Sequence, residues 1–239
     1  MVSYSPDIQP VSGHNTFVVI VAAGSGTRFG AATPKQFLDL EGKPVLQYSV
    51  DTFRKALPEA EIVLVLAQNM VQYWTDFCRK NGFFLPKIVA GGASRSESVH
   101  NALKTLKTDS RSVVMIHDGA RPLVSEELIR RVAGQFASRA TRAVVPVLPL
   151  TEAIAESVLG GVRSADRSRF KTVQTPQAFL AEPLLKFYNE ADGKELPDDA
   201  AIFSLIGGET INGVEGDRRN IKITNPDDIK LASFLRTLK

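Results

Sequence analysis

The sequence has very little cysteine. Cys78 is the one cysteine in 239 residues, so the chain cannot form an internal disulfide or a cysteine-ligated zinc site. It follows the aromatic-rich stretch YWTDF, which favours a thiol packed in the core over a reactive one. The sequence also lacks internal repeats, and no apolar run approaches the ~20 residues of a membrane-spanning helix. We therefore expect a globular protein stabilised by its core, without a membrane partner.

The sequence also lacks a strong charge of either sign. Its 29 Lys and Arg and 26 Asp and Glu give a net charge of +3, with no basic run that would favour nucleic acid. Scattered arginines suit a small phosphate-bearing substrate better. Residues 1–15 are polar and do not have the pattern of a secretory signal. We expect them to form a flexible N-terminal tail of a cytoplasmic protein, with one domain over residues 16–239.

What the sequence does have is a regular alternation of strand-like and helix-like stretches. The strand-like runs are short and rich in Val and Ile, as in strands that are buried on both faces of a parallel sheet. They comprise residues 17–22, 61–67, 87–90, 112–117 and 142–147. The alternation predicts an α/β fold: a Rossmann-like open, mostly parallel twisted sheet with helices on both faces.

Local signals mark several of the helices between these strands. Pro44 suits the first turn of one helix. Ser94, with Glu97 three residues later, predicts a capping box ahead of an apolar face that extends to Leu106. The last helix is expected to start in the NPDD run at residues 225–228 and to end near the C-terminus, with acids early and bases late.

Residues 149–175 interrupt the alternation. They lack a clear helical or strand period and contain Gly160 and Gly161 followed by a charged run at residues 163–169. Structureless loops longer than ~12–15 residues are uncommon unless they are functional or disordered. We therefore expect a projecting excursion, such as a dimerisation arm.

A glycine-rich segment directly after the first strand is the strongest local sign of chemistry. It reads AAGSGTRFG at residues 22–30 and is followed by PKQ at residues 34–36. Glycines at this point let backbone N–H groups approach a phosphate chain closely. Ligands of open α/β sheets also bind at this edge. Arg28 and Lys35 add two cations, which suits a triphosphate.

Two other phosphate-binding loops fit this segment poorly. A Walker loop would end in Gly-Lys-Ser or Gly-Lys-Thr, which is not present. In a dinucleotide fingerprint the third glycine would come one place before Gly30. Gln68 and Asn69 stand where an acid would bind the ribose. These features disfavour an NAD-dependent dehydrogenase.

Five segments, taken in order, resemble the sugar-nucleotidyltransferase superfamily and, within it, the 2-C-methyl-D-erythritol 4-phosphate cytidylyltransferases. They are AAGSGTRFG with PKQF at 34–37, GGASRSESV at 91–99, HDGARP at 117–122, DR at 166–167 with QTPQAF at 174–179, and EGDRRNIKIT at 215–224. The resemblance runs from about residue 17 to the C-terminus. It implies that a phosphate oxygen of the polyol phosphate attacks the α-phosphorus of CTP and that pyrophosphate leaves.

The resemblance also implies roles for particular residues. Arg28 and Lys35 would face the CTP phosphates, and Arg167 and Lys222 would orient the incoming phosphate. Asp118 would hold Mg²⁺, whereas the neighbouring His117 is expected to be a packed strand-end residue. The implied substrate-binding residues are Ala22, Ala23, Gly24, Gly92, Ser98, Asp118, Arg121 and Thr175. The family arrangement is a homodimer with a shared active site, in which the segment at residues 149–175 reaches into the partner.

Three departures from the family pattern leave the exact substrate open. Glu152 replaces an aspartate, and Ala153 and Pro197 replace threonines expected around the substrate. A cytidylyltransferase for a pentitol phosphate such as ribitol 5-phosphate therefore remains an alternative. So does a non-catalytic nucleotide sensor, although a sensor would have little reason to keep four cations in these motifs.

Overall fold

The chain alternates strands and helices along its whole described length. The computed structural model describes residues 15–24, 34–191, 194 and 196–238. Its strands are β1 Thr16–Ala22, β2 Asp39–Leu40, β3 Lys43–Pro44, β4 Glu61–Leu66, β5 Lys87–Ala90, β6 Val113–Asp118, β7 Ala143–Pro149, β8 Ile154–Val158, β9 Gly161–Ala165, β10 Lys171–Val173, β11 Gln177–Leu180 and β12 Asn212–Glu215. Its α-helices are α1 Val45–Ala56, α2 Val71–Asn81, α3 Arg95–Leu103, α4 Glu126–Gly134, α5 Ala181–Glu190, α6 Asp199–Ala201 and α7 Asp227–Thr237.

Most of the strands form one open sheet. Its order is β10-β7-β11-β6-β1-β4-β5, and β12 pairs with β7. Parallel pairing joins β5 to β4, β4 to β1, β1 to β6 and β12 to β7. Antiparallel pairing adds β11 and β10 at the other end. The predicted open, mostly parallel α/β sheet is confirmed.

Helices cover both faces of this sheet, because the side chains of a strand point alternately to its two sides. Val18 and Ile20 of β1 pack into a core cluster that includes side chains of α1, α2 and α4. Phe17 and Val19 pack into a second cluster, with side chains of α3 and α5. Burial on both faces explains why the strands read as continuous apolar runs rather than as an alternation.

The predicted helix starts and ends differ from the observed ones by a few residues. Pro44 is the N-cap of α1 rather than its first residue. The Ser94 hydroxyl caps α3 by accepting from the backbone N–H of Glu97 at 3.1 Å. The Glu97 carboxylate accepts from the N–H of Ala93 at 2.7 Å, one residue before the N-cap, so the capping box is displaced. Helix α3 ends at Leu103, and the predicted apolar face therefore outruns the helix.

Part of the segment at residues 149–175 forms a projecting hairpin. Among the described residues, β8 and β9 pair with each other as a separate two-stranded antiparallel sheet, whereas β10 joins the main sheet beside β7. Gly160 at the turn has φ +80°, a conformation that glycine adopts readily. The side chains of Leu159 and Val162 are exposed. The expected excursion is thus present as this hairpin, whose two strands the sequence pattern did not reveal. We call residues 149–175 the arm.

Three further features bear on the sequence predictions. The thiol of Cys78 is buried in α2, as the sequence predicted. Residues 1–14 of the predicted tail lie outside the described residues, whereas Asn15 bonds to Asp109 at 3.1 Å. Within the described part of the chain, no helix combines the length and apolar character needed to cross a membrane.

Candidate active site

The carboxyl ends of β1, β5 and β6 meet at one edge of the sheet. At Gly91 a side chain is excluded, because a Cβ there would lie 2.4 Å from the Ala23 Cβ and 2.9 Å from the Ser98 Oγ. The Ser98 hydroxyl accepts from the N–H of Gly92 at 3.0 Å and donates to the carbonyl of Ser94. The structure therefore brings together Ala23, Gly92 and Ser98, which were predicted to bind substrate. The Ser98 hydroxyl shapes this loop.

Gln36 fixes the start of the glycine-rich segment, a role that the sequence did not reveal. Its buried amide donates to the carbonyls of Ala22 at 2.8 Å and Gly24 at 3.1 Å. Gln36 lies in the 3-10 turn Lys35–Phe37 that follows the segment, so its amide ties this turn to the residues at the end of β1. The PKQF pattern contained this glutamine. Its bonds could not be read from the pattern.

Asp118, the last residue of β6, lies among three cations. Its Oδ2 is 2.9 Å from the Nζ of Lys222 and 3.5 Å from the Nε of Arg121. Its Oδ1 is 3.4 Å from the Nε of Arg95. The structure thus joins Asp118, Arg121 and Lys222, which were all predicted site residues, and adds Arg95. We call these four residues the Asp118 cluster.

The electrostatics of the Asp118 cluster favour bound anions. Burial by itself would raise the pKa of Asp118, but Arg95, Lys222 and Arg121 outweigh it and hold the pKa well below its ordinary value. The carboxylate is therefore ionised at neutral pH. With one negative and three positive side chains, the cluster keeps an excess of positive charge at the edge where the strands end.

A neutral histidine lies beneath the cluster. The backbone N–H of Asp118 donates to the Thr175 hydroxyl at 3.1 Å, and that hydroxyl is 3.0 Å from the Nδ1 of His117. Burial lowers the pKa of His117 to about 3. The hydroxyl therefore donates to Nδ1, which leaves the Nε2 proton for the carbonyl of Arg121 at 3.3 Å. The packed role predicted for His117 is confirmed, and the predicted substrate ligand Thr175 uses its hydroxyl to hold Asp118.

Two buried amides hold the loop that carries Lys222. The Asn220 side chain donates to the carbonyl of Thr175 at 2.8 Å, and the Asn220 carbonyl accepts from the Arg121 guanidinium at 2.8 Å. The Gln174 side-chain amide donates to the backbone carbonyl of Asp217 at 2.8 Å and accepts from the backbone N–H of Asp217 at 3.0 Å. Through these bonds, Gln174 of the QTP segment and Asn220 of the NIK segment together hold the loop in place. Gln174 and Asn220 lie within the motifs, but their roles could not be predicted from the sequence.

Three of the four cations predicted to act on the phosphates are not part of the Asp118 cluster. Arg28 lies outside the described residues. Arg167 lies on the arm, where its guanidinium donates to the backbone carbonyl of Thr151. Lys35 begins the 3-10 turn after the glycine-rich segment, and its charge is one of the causes that lower the pKa of Asp228 at the start of α7.

An open α/β sheet of this kind, with a glycine-rich segment after its first strand and cations at the same edge, fits the nucleotidyltransferase class. The chain belongs to the IspD family, 2-C-methyl-D-erythritol 4-phosphate cytidylyltransferase, whose model matches residues 16–237.

Relatives named 2-C-methyl-D-erythritol 4-phosphate cytidylyltransferase match nearly the whole chain. The protein of Bacteroides fragilis is 38% identical over 218 residues, which cover 91% of this chain and 97% of the relative. The protein of Porphyromonas gingivalis is 39% identical over 222 residues, with 92% and 97% covered. The family resemblance stated from the motifs is therefore confirmed.

Solved structures agree with this assignment. The 4-diphosphocytidyl-2C-methyl-D-erythritol synthase of Anaerococcus prevotii superposes with a TM-score of 0.78 at 28% identity, covering 95% of this chain and 100% of that chain. The 2-C-methyl-D-erythritol 4-phosphate cytidylyltransferase of Thermus thermophilus gives a TM-score of 0.71 at 30% identity, with 92% and 98% covered. The fold and the family thus agree.

Proposed function

We propose that this chain transfers CMP from CTP to 2-C-methyl-D-erythritol 4-phosphate. A phosphate oxygen of the polyol phosphate attacks the α-phosphorus of CTP, a new P–O bond forms, and the bond to the β-phosphate breaks. The products are 4-diphosphocytidyl-2-C-methyl-D-erythritol and pyrophosphate, within the non-mevalonate route to isoprenoids. The observation that carries the proposal is the Asp118 cluster, in a chain that its family model matches almost from end to end.

This reaction needs positive charge more than it needs a base. The second pKa of a phosphate monoester is ~6, so the attacking phosphate is already largely ionised at neutral pH. The difficulty lies in bringing two anions together and in stabilising the charge on the transferring group. The excess of positive charge at the Asp118 cluster meets that requirement.

We assign the cations two tasks. Arg28, within the glycine-rich segment, and Lys35, shortly after it, face the CTP phosphates. Lys222 and Arg167 orient the incoming phosphate. The side chain of Lys222 is 38% exposed, against 12% for Arg121 and 28% for Arg95, so among the cluster's cations it is the freest to change partner.

We also propose that Asp118 holds Mg²⁺ together with the CTP phosphates. Among the described residues, no group of three or more His, Cys, Asp or Glu side chains could hold a metal ion. One carboxylate fits Mg²⁺ all the same, because this ion is often bound by one or two carboxylates with phosphate oxygens and waters. When bound, Mg²⁺ supplies further positive charge to the phosphates. Titration calorimetry should detect Mg²⁺ binding in the presence of CTP, and the Asp118→Asn variant should weaken it.

The arm supports a homodimer with a shared active site. Its side chains Leu159, Val162 and Phe170 are 107%, 75% and 50% exposed. Apolar side chains on a projecting hairpin gain burial if a second copy packs against them. We propose that Arg167 of one chain then serves the site of the other.

We place the reaction in the cytoplasm, since the single cysteine is a buried free thiol, as is usual in a reducing compartment.

Pyrophosphate release tests the proposed reaction directly. It should appear when CTP and 2-C-methyl-D-erythritol 4-phosphate are both present, and in neither single-substrate control. Ribitol 5-phosphate at equal concentration tests the pentitol alternative, which Ala153 and Pro197 left open. Faster turnover of ribitol 5-phosphate would overturn the substrate assignment, and pyrophosphate in neither mixture would overturn the reaction.

A further inference from the structure

The Asp118 cluster continues into the protein through Arg95. The two Nη atoms of Arg95 donate to the two carboxylate oxygens of Asp199, at 3.1 Å and 2.7 Å, while its Nε faces Asp118 at 3.4 Å. The Tyr188 hydroxyl donates to Asp199 Oδ1 at 2.5 Å. One guanidinium therefore links a carboxylate at the site to a carboxylate in the core.

The inner end of this series of side-chain contacts, at Asp199 and Tyr188, is far more buried than the outer end at Lys222. Asp199 is 0% and Tyr188 is 4% exposed, whereas the side chain of Lys222 is 38% exposed. A buried carboxylate requires a charged partner, since leaving it unpaired is strongly unfavourable. Asp199 therefore holds Arg95 in place, and the planar guanidinium fixes the direction in which Nε points.

Lys222 and Arg95 thus differ in how easily they can leave Asp118 for another partner. Lys222 is held to Asp118 by one contact at the surface, and it can turn to an incoming phosphate. When it does so, Asp118 loses its nearest positive partner. Arg95 cannot follow without breaking two bonds to Asp199. It remains beside Asp118 and keeps the carboxylate oriented.

We propose that Asp199 and Tyr188 are positioning residues, which lock Arg95 as the permanent partner of Asp118 while Lys222 exchanges between Asp118 and substrate. This inference rests on the proposed function. It adds that residues of α5 and α6 support the site. Its physical basis is that displacing a reacting group by about 1 Å can cost on the order of 10²-fold in rate.

The first test separates the geometry of Arg95 from its charge. Arg95→Lys keeps the positive charge but cannot form the fork to Asp199 together with the contact to Asp118. We expect kcat to fall by about tenfold or more, while the CTP dissociation constant changes by less than about threefold. The matched control is Arg130→Lys, which alters an arginine paired with Glu126 on the outer surface of α4 and should leave kcat unchanged.

The second test asks whether Tyr188 acts through Arg95. Tyr188→Phe removes the hydroxyl and keeps the ring, and it should lower kcat by about two- to fivefold. In the double variant with Arg95→Lys, kcat should fall no further than in Arg95→Lys alone, because residues in one network are not additive. A purely structural role would change the melting temperature, and the two losses of kcat would then multiply.

Three results would overturn the positioning proposal. They are a normal kcat in folded Arg95→Lys, a loss of CTP affinity that accounts for the whole loss of kcat/KM, and multiplied losses in the double variant. The wild-type protein must release pyrophosphate from CTP and the polyol phosphate in the same assay. If it does not, the proposed function fails, and if only the variants behave unexpectedly, the positioning proposal alone fails.

Discussion

The individual side chains of the site divide into those that are fixed and those that can change partner. Asp118 is fixed by Arg95 on one side and by the Thr175 hydroxyl beneath its backbone. Lys222 and Lys35 are lysines on flexible stems, which suit charges that must follow a phosphate. Substitutions of the two kinds should therefore affect different measurements.

The first prediction concerns Lys35. If its ammonium neutralises charge that develops on the CTP phosphates, Lys35→Ala should lower kcat by about 10²-fold or more, as for other lost electrostatic donors. The melting temperature should stay close to that of the wild type. Lys55→Ala, at an exposed position near the end of α1, is the matched control. A folded Lys35→Ala protein that retains kcat within about threefold of the wild type would refute the assignment.

The second prediction concerns His117 and pH. Its pKa is about 3 in the folded protein, against 6.5 ordinarily. Between these values the unfolded chain binds a proton that the folded protein does not. The stabilising contribution is therefore complete above pH 6.5 and is lost as pH falls, with a slope of up to about 1.4 kcal/mol per pH unit.

Urea unfolding at pH 7, 6 and 5 measures this effect. The free energy of unfolding should fall towards pH 5 in the wild type, and His117→Asn should flatten the curve by about one proton. Asn can still accept from the Thr175 hydroxyl. His100→Asn, at a half-buried position beside Asn189 and Tyr188, controls for the loss of an imidazole elsewhere. An unchanged slope in His117→Asn would show that this histidine is not the source.

At the scale of elements, the site depends on how closely the loops after β1 and β5 approach each other. Gly91 makes that approach possible, since a Cβ would come within 2.4 Å of the Ala23 Cβ. Gly91→Ala should therefore separate the two loops and raise the CTP dissociation constant by about tenfold, an estimate of roughly 1.4 kcal/mol. Titration calorimetry with CTP measures it.

Gly161→Ala is the control for this substitution. Gly161 lies in the arm, and a Cβ there would meet nothing within 4 Å. The added methyl group should leave CTP affinity unchanged, because the expected effect depends on contact and not on the loss of a glycine. Equal CTP affinity in the two variants would mean that the loops tolerate separation, or that CTP does not bind between them.

At the scale of the whole molecule, the shared-site model predicts complementation between inactive variants. Arg167 of one chain would serve the site that contains Lys35 and Lys222 of the other. Lys35→Ala and Arg167→Ala should each be inactive. In a mixed dimer, both lesions fall in one site and the other site is intact, so activity should return to about half per mixed dimer, from the two-fold symmetry.

A second mixture controls for this result. Lys35→Ala with Lys222→Ala should give no recovery, because each site of the mixed dimer then carries one lesion. Native mass measurement confirms that the chains exchange. Exchange without recovery in the first mixture, or equal recovery in both mixtures, would contradict a site that is shared through Arg167.

Much of this architecture could be predicted from the sequence, because its causes are local. Buried strands read as apolar runs, Ser94 marks the start of a helix, and Cys78 among aromatic residues indicates a packed thiol. The cation set was also partly predictable: Asp118, Arg121 and Lys222 do meet. The arm was recognised from its length, its two glycines and its charged run, and it showed no strand period because its hairpin has no buried face to impose one.

The supports of the site were decided by tertiary structure alone. Arg95 and Asp199 are 104 residues apart in the chain, and His117 and Thr175 are 58 apart. No periodicity relates such pairs, since they meet only where the crossovers of a parallel sheet bring the strand ends to one edge. The sequence by itself determined which elements form and which motifs reach that edge. The tertiary structure decided which side chains hold the reactive ones, because a buried charge is paired by whatever the fold places beside it.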